Sequence, residues 1–259
     1  MDQNALLQLI AQLPLSVSKE VPGVTESLNI PGVIGIKSKK VPNPYANTVG
    51  AVQLSSKSID FSIDKILAEY GDIPFGWFVG PMNTPSNLRD HLEARGIKKG
   101  ISMDGMVLED LNIPITTTPN IDVKPVSIEK AFSHAELLAE TYGMGVNAEA
   151  AKVLIQGYVN NHIYFVYPKG SNTIVAWSTL VYIPGTHVVL LGGSATHPDW
   201  RGKNIYKSMV ARRLRDAKNQ GAELAVIQAV KETSAPICAR LGFQSVCEFD
   251  LYFGNMEEH

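Results

Sequence analysis

The sequence predicts an α/β (α+β) fold in which strands and helices are interspersed along the chain. Apolar segments of strand length alternate with amphipathic segments of helix length, and turns that contain Gly and Pro separate them. In the segment LLGGSATHPDWRGKNIY, residues 190–206, an apolar strand leads through a short turn into an amphipathic helix. Such a junction leaves free backbone N–H donors at the helix start, and the helix dipole favours a nearby anion by about 0.3–1 kcal/mol. These features indicate a phosphate-binding site.

Length and composition restrict the possible classes of protein. The chain has 259 residues, of which 45% are hydrophobic, enough for one large or two small domains. Its net charge of −2 argues against nucleic acid and anionic membranes as partners. There is no apolar run of about 18 residues, and the N-terminus lacks the features of a signal peptide. Cys238 and Cys247 have no metal-binding spacing, so we expect free thiols, no metal site and a cytoplasmic protein.

The front part of the chain contains three predicted helices and two predicted strands. The helices have apolar residues three or four positions apart, and the third begins with a Thr-Pro cap signal and ends at a glycine. The strands are short apolar and aromatic runs. In chain order these elements are the helix 6–13, the helix 59–70, the strand 74–79, the helix 88–95 and the strand 103–108.

A segment without periodicity follows. Residues 111–123, LNIPITTTPNIDV, contain two prolines, three threonines and two asparagines, which is typical of a boundary between domains. We therefore predict two domains, residues 1–118 and residues 119–259.

The back part begins with two helices and three strands, and the strands are separated by Pro-Lys-Gly-Ser-Asn and Pro-Gly turns. A long helix after the phosphate-binding junction then leads to a strand, a short helix and a last strand. In chain order these elements are the helices 128–141 and 148–158, the strands 163–167, 174–182 and 187–194, the helix from 205 to before 221, the strand 224–229, the helix 233–241 and the strand 243–253.

The long helix carries many basic residues. Between Arg201 and Asn219 there are seven basic residues and one acid, Asp216. This local positive stripe suits phosphate groups, although a solvated helix face has the same composition. Lys203 and Lys207 lie nearest the helix start and are the better candidates for phosphate contact.

Two motifs in the back part resemble those of the GNAT superfamily of N-acetyltransferases. The superfamily's acyl-CoA motif, Arg/Gln-x-x-Gly-x-Gly/Ala, corresponds to RGKNIY at 201–206, with Asn204 and Tyr206 in place of small residues. Its later motif, A-x-x-Y-x-K/R-x-G-F, corresponds to APICARLGF at 235–243, with Cys238 in place of tyrosine. Asn best tolerates unusual backbone angles, so the turn is expected to persist, whereas Tyr206 is expected to narrow the approach to the turn.

The front part looks like the degenerate first half of a tandem GNAT protein. It contains PFGWFVGP, LEARGI and SMDGMVL, which parallel segments of the back part, but no counterpart of residues 201–206. It is therefore expected to act as a scaffold or as a wall of the acceptor pocket.

The resemblance implies a GNAT fold with a mixed, mostly antiparallel central sheet flanked by helices, and acetyl-CoA as cosubstrate. The backbone of the fourth strand would pair with pantetheine, and amides at the helix start would hold the pyrophosphate. The residues implied in cofactor binding are Ser194, Ala195, Thr196, Arg201, Gly202, Lys203, Asn204, Ile205 and Tyr206.

The implied reaction is attack of an amine on the thioester. Neutralising a lysine-like amine at pH 7 costs about 4–5 kcal/mol, whereas an α-amino group costs only about 1 kcal/mol, so the first needs a strong base. The fourth strand offers no carboxylate, and the nearby candidates for a base are His187, His197, Asp199 and Glu232. His197 and Glu232 are the two we select, and a water relay from the strand backbone is the alternative. Cys238 is a candidate acid for the leaving thiolate, or else a small buried hydrophobe.

Three functions are consistent with these residues. The first is an acetyl-CoA-dependent N-acetyltransferase that acts on the amine of a small molecule, an amino-acid derivative or a peptide. The second is a non-catalytic acyl-CoA-binding or regulatory module, which Asn204, Tyr206 and Cys238 favour. The third, an unrelated nucleotide-binding α/β protein, is disfavoured because neither GxGxxG nor GxxxxGK[ST] occurs.

Overall fold

The computed structural model describes residues 2–143 and 145–256. The chain divides into two compact units, Met1–Gly105 with Val246–His259, and Met106–Ser245. The predicted domain boundary between residues 118 and 119 falls inside the second unit, and most of the last strand belongs to the first. That boundary was inferred from the composition of residues 111–123, and it stays a prediction.

The first unit contains a sheet with the strand order β1-β2-β3-β4-β11-β5. Its β3 and β4 are parallel, whereas β1 and β2, β2 and β3, and β4 and β11 pair antiparallel. The elements that lie wholly or partly in it are α1 (Gln3–Gln12), β1 (Glu26–Ser27), β2 (Ile34–Lys37), β3 (Thr48–Gly50), α2 (Ile59–Tyr70), β4 (Phe75–Val79), α3 (Leu88–Glu93), β5 (Lys98–Leu108) and β11 (Gln244–Gly254).

The amphipathic pattern of α2 explains how the first unit is packed. Ile59, Ile63, Ile66 and Tyr70 recur on one face of the helix and are all buried in one core with Trp77. Each such side chain stabilises the fold by about 1.5–3 kcal/mol through burial. The helix ends at a glycine with φ +57°, a backbone conformation that side chains rarely adopt.

The second unit contains the sheet order β10-β9-β8-β7-β6. The strands β6 to β9 pair antiparallel, and β9 and β10 are parallel. Its elements are β6 (Ile121–Val126), α4 (Ile128–Phe132), α5 (Ala135–Tyr142), α6 (Ala148–Gln156), β7 (Asn161–Pro168), β8 (Ala176–Tyr182), β9 (Val188–Thr196), α7 (Ile205–Asn219), β10 (Leu224–Val230) and α8 (Ser234–Arg240).

Helices cover both faces of this sheet. Alternate residues of β7 point to opposite faces, so Ile163 and Phe165 pack with α4–α6, while Tyr164 and Val166 pack with α7. Among the described residues, no helix is long and apolar enough to cross a membrane.

Two sequence-based predictions for this unit were wrong. The single helix expected at 128–141 is two helices, because Ser133 and His134 hydrogen-bond the carbonyl of Lys130 and compete with the helical ladder. Residues 121–123 were expected in the linker and residues 124–126 were assigned to no element, but all six form β6. Pro125 is tolerated there because β6 is at the end of the strand order, where one side of a strand needs no N–H donors.

Candidate functional site

The parallel strands β9 and β10 pair over only part of their length. The register runs from Leu224 opposite Val188 to Val226 opposite Leu190, and within the described chain it ends there. Residues 188–191 of β9 are buried, whereas residues 192–196 are half-exposed. The carboxyl-terminal part of β9 therefore pairs with β8 on one side and presents an open backbone edge on the other.

A bulge in β9 lies where this pairing ends. Leu191 is opposite Leu180 and Ser194 is opposite Ser178, so β9 has one residue more than β8 in this interval. The bulge contains Gly192, where an added Cβ would lie 2.2 Å from the Thr179 hydroxyl oxygen. Only glycine fits at this position without displacing its neighbour.

The turn after β9 has a left-handed backbone at two positions. Gly202 has φ +74°, and Asn204, the N-cap of α7, has φ +58° and ψ +18°. The expectation that Asn would preserve the turn in place of glycine is confirmed by this geometry. Asn204 makes no side-chain cap hydrogen bond, so the first-turn amides of α7 are left for an external acceptor.

Hydrogen bonds from neighbouring segments hold this turn. Arg201 Nε donates to the Thr196 carbonyl at 3.1 Å, and Lys203 Nζ donates to the Asp199 carbonyl at 3.0 Å. Thr118 Oγ1 donates to the Lys203 carbonyl at 2.9 Å. Because the side chains of Arg201 and Lys203 hydrogen-bond backbone carbonyls of the turn, they stabilise its conformation.

The two residues that depart most from the resembled motifs contact each other. Tyr206 Oη lies 3.4 Å from Cys238 Sγ. Cys238 is fully buried, and burial raises the pKa of its thiol, while the Tyr206 hydroxyl acts in the opposite direction. The environment therefore keeps Cys238 in the thiol form.

The two candidate bases, His197 and Glu232, take no part in the contact between Tyr206 and Cys238. His197 Nδ1 accepts the Asp199 amide at 3.3 Å and so caps the short turn Pro198–Trp200. Glu232 is exposed in the turn before α8. Within the described part of the chain, no hydrogen bond or ion pair joins either of them to the other or to Cys238. No three His, Cys, Asp or Glu side chains there are placed to hold a metal ion.

The other side of the bulge is aromatic. The rings of Tyr142 and Trp177 are 5.6 Å apart, and an added Cβ on Gly193 would meet both at ordinary contact distance, 3.5 Å and 3.7 Å. Burial raises the pKa of Tyr142 and also that of Tyr158, on which the Tyr142 charge acts in the same direction. Both tyrosines therefore stay neutral, and Tyr142 forms an apolar wall beside Gly193.

The basic stripe expected on α7 is only partly a surface feature. Arg215 is exposed, and Arg212 pairs with Asp216 at 2.9 Å. Arg213 is fully buried, so counting it with a solvated helix face was wrong. The signal that could have identified it is its spacing, because it lies seven residues, or two helical turns, after Tyr206 on the apolar face of the helix.

This architecture is that of the GNAT fold. The solved structure of a GCN5-related N-acetyltransferase from Kribbella flavida superposes with a TM-score of 0.72 at 14% identity, covering 97% of this chain and 96% of that one. A tandem GNAT protein from the clavulanic acid biosynthesis pathway has a TM-score of 0.59 at 11% identity, covering 98% and 89%. A GCN5-related N-acetyltransferase from Sphaerobacter thermophilus has a TM-score of 0.57 at 14% identity, covering 86% and 80%.

The sequence similarity to known proteins lies in the second unit. Residues 133–243 match the Acetyltransferase (GNAT) family model. No curated protein sequence is significantly similar to the chain. The second unit is therefore similar to GNAT acetyltransferases in sequence as well as in fold.

Proposed function

We propose that this protein is an acetyl-CoA-dependent N-acetyltransferase whose acceptor is the amine of a small molecule, an amino-acid derivative or a peptide. The observation that carries the proposal is the divergence of β9 and β10 just before the left-handed turn that starts α7. An open strand edge and a group of free amides then lie next to each other in the chain. An extended thioester that carries a diphosphate requires both features.

The main chain would supply most of the contacts to acetyl-CoA. Ser194, Ala195 and Thr196 present the half-exposed edge of β9, which could accept pantetheine as an added strand. The amides of residues 202–206 would bind the diphosphate. Backbone donors suit this task because they are held in place by the turn and lose no side-chain entropy on binding.

The reaction that acetyl-CoA supplies is acetyl transfer: the amine nitrogen bonds to the thioester carbon, and the CoA thiolate leaves. The acceptor nitrogen must be neutral when it attacks. The bulge of β9 carries two glycines and no carboxylate, and His197 already uses Nδ1 as a cap. An acceptor with a pKa near that of an α-amino group, about 8, therefore suits this site better than a lysine-like amine.

Two measurements test this function. Calorimetric titration with acetyl-CoA tests binding, and release of free thiol tests turnover with a panel of amines that pairs α-amino compounds with ε-amino compounds. We expect binding together with faster turnover of the α-amino compounds near pH 7. If acetyl-CoA does not bind, the proposal is wrong.

A second candidate function is a non-catalytic acyl-CoA-binding module. The contact between Tyr206 and Cys238 favours it, because both side chains fill space behind the turn. Binding of acetyl-CoA without release of thiol across the whole panel would establish this second function in place of the first.

A further inference from the structure

A buried positive charge lies beneath the bulge of β9. Arg213 has no exposed surface, its Nη1 donates to the Thr179 carbonyl at 2.9 Å, and its Nε donates to the Met209 carbonyl at 3.3 Å. Nη1 also reaches the carbonyl of Gly192 in the bulge at 3.5 Å. Arg213 Nη2 is buried and has no hydrogen-bond partner in the described chain.

The titratable groups that act most strongly on Arg213 are neutral acids. They come from three elements packed around it: Tyr206 on α7, Cys238 on α8 and Tyr164 on β7. No carboxylate pairs with Arg213 among residues 2–143 and 145–256. A buried charge without a counterion costs several kcal/mol, so an arginine kept here requires an explanation beyond packing.

The Tyr206 hydroxyl interacts with this buried charge. The residue is partly exposed at the start of α7, and its hydroxyl lies inward at 3.4 Å from Cys238 Sγ. Burial raises the pKa of Tyr206, and the guanidinium of Arg213 acts in the opposite direction. The hydroxyl is therefore a neutral donor backed by the positive charge of Arg213. Arg213 Nη1 in turn reaches the carbonyl of Gly192, just beyond the last pair of β9 and β10.

We propose that Arg213 is a positioning residue whose buried charge, acting through the Tyr206 hydroxyl, stabilises the thiolate that leaves the thioester. This inference rests on the proposed function. In the reaction the amine nitrogen bonds to the thioester carbon and loses a proton to solvent, and the C–S bond breaks with its electron pair left on sulfur. The Tyr206 hydroxyl then exchanges its contact with Cys238 for a hydrogen bond to that sulfur. Tyr206 keeps its proton, and the thiolate takes its own proton from solvent. Donors fixed before the reaction are the most effective way to stabilise such a charge.

The test compares the binding of CoA with that of desulfo-CoA, which lacks the sulfur, between pH 6 and pH 9.5. If the site stabilises a thiolate, the bound thiol has a lower pKa than the free one. The preference for CoA over desulfo-CoA should then rise with pH, by about tenfold in total for each unit of pKa difference.

Variants of Arg213, Tyr206 and Arg215 distinguish stabilisation of the thiolate from a loss of structure. Arg213→Met and Tyr206→Phe should each abolish the pH-dependent preference, whereas Arg213→Lys should retain part of it. Arg215→Met, which removes an exposed charge from the same helix, should behave as the unmodified protein does. A purely structural role for Arg213 would weaken the binding of both ligands in parallel.

Two outcomes would overturn the inference, and they are distinguishable from failure of the proposed function. A preference for CoA that is independent of pH in the unmodified protein, or one that persists in Arg213→Met, refutes the role of Arg213 and leaves the acetyltransferase intact. Failure of the unmodified protein to bind either ligand refutes the proposed function itself.

Discussion

Replacement of Gly192 by alanine should destabilise the second unit, whereas the same change at Gly193 should not. An added Cβ at Gly192 lies 2.2 Å from the Thr179 hydroxyl oxygen, while at Gly193 the nearest atom is 3.5 Å away. An ordinary contact is about 3.5–4.0 Å. Thr179 would therefore have to move by more than an ångström, and as a buried, β-branched residue of β8 it has little freedom to do so.

The expected cost can be estimated from measured effects of overpacking. Forcing one extra methyl into a packed core destabilises it by about 1–3 kcal/mol. For a unit of this size that cost lowers Tm by roughly 2–12 °C. Gly193→Ala should change Tm by about 1 °C or less, because its Cβ meets only ring carbons at ordinary contact distance. Thermal unfolding followed by circular dichroism measures both.

A double variant tests the cause. Thr179→Ala removes the atom that the new Cβ would strike, and that hydroxyl has no hydrogen-bond partner to lose in the described chain. Gly192→Ala combined with Thr179→Ala should therefore be less destabilised than the sum of the two single variants. Additive losses, or equal losses in Gly192→Ala and Gly193→Ala, would refute this explanation of the bulge.

Three further predictions follow from other parts of the structure. Arg201→Glu should weaken acetyl-CoA binding by roughly tenfold or more through loss of the turn hydrogen bond and charge repulsion, and calorimetry that finds Arg215→Glu equally weakened would contradict this. Asn204→Ala should lower the free energy of unfolding by about 1 kcal/mol and Asn204→Gly should not, because alanine tolerates φ +58° poorly; equal denaturant midpoints would contradict this. Asp250 is partly desolvated, which acts to raise its pKa, but Lys99, Ser102 and Arg89 hold the pKa below its usual value. Its contribution to stability is therefore complete above the unfolded carboxyl pKa of about 3.9 and is lost as the pH falls below it. Asp250→Asn should be less stable at pH 6 and closer to the unmodified protein at pH 2.5, as measured by denaturant unfolding.

Much of the fold follows from local patterns that the sequence displays directly. The helix 59–70 was predicted with the bounds that α2 has, because its apolar residues recur at helical spacing and a glycine ends it. The strands of the second unit were also recognisable, since short apolar runs between turn residues leave few alternatives. Local patterns failed at β6, where Pro125 and the threonines before it favour a linker, and pairing with β7 overrides that preference.

In the candidate site, too, some features could be predicted from local sequence and others depend on the tertiary structure. Sequence spacing was enough to locate the turn at 201–206 and to predict that Asn204 would tolerate it, because a left-handed backbone is a property of one or two residues. The end of the pairing between β9 and β10, the bulge at Gly192 and the burial of Arg213 depend on residues that are distant in the chain.

The sequence by itself therefore determined the succession of elements, the turn at 201–206 and the resemblance to the GNAT superfamily. Only the tertiary structure decided that Tyr206 and Cys238, which read as two separate departures from the resembled motifs, are one contact at 3.4 Å. It likewise decided that Arg213, which reads as a surface charge, is an interior cation. The physical reason is that conformational preference is set by neighbours along the chain, whereas the environment of a charge is set by whichever strands and helices pack around it.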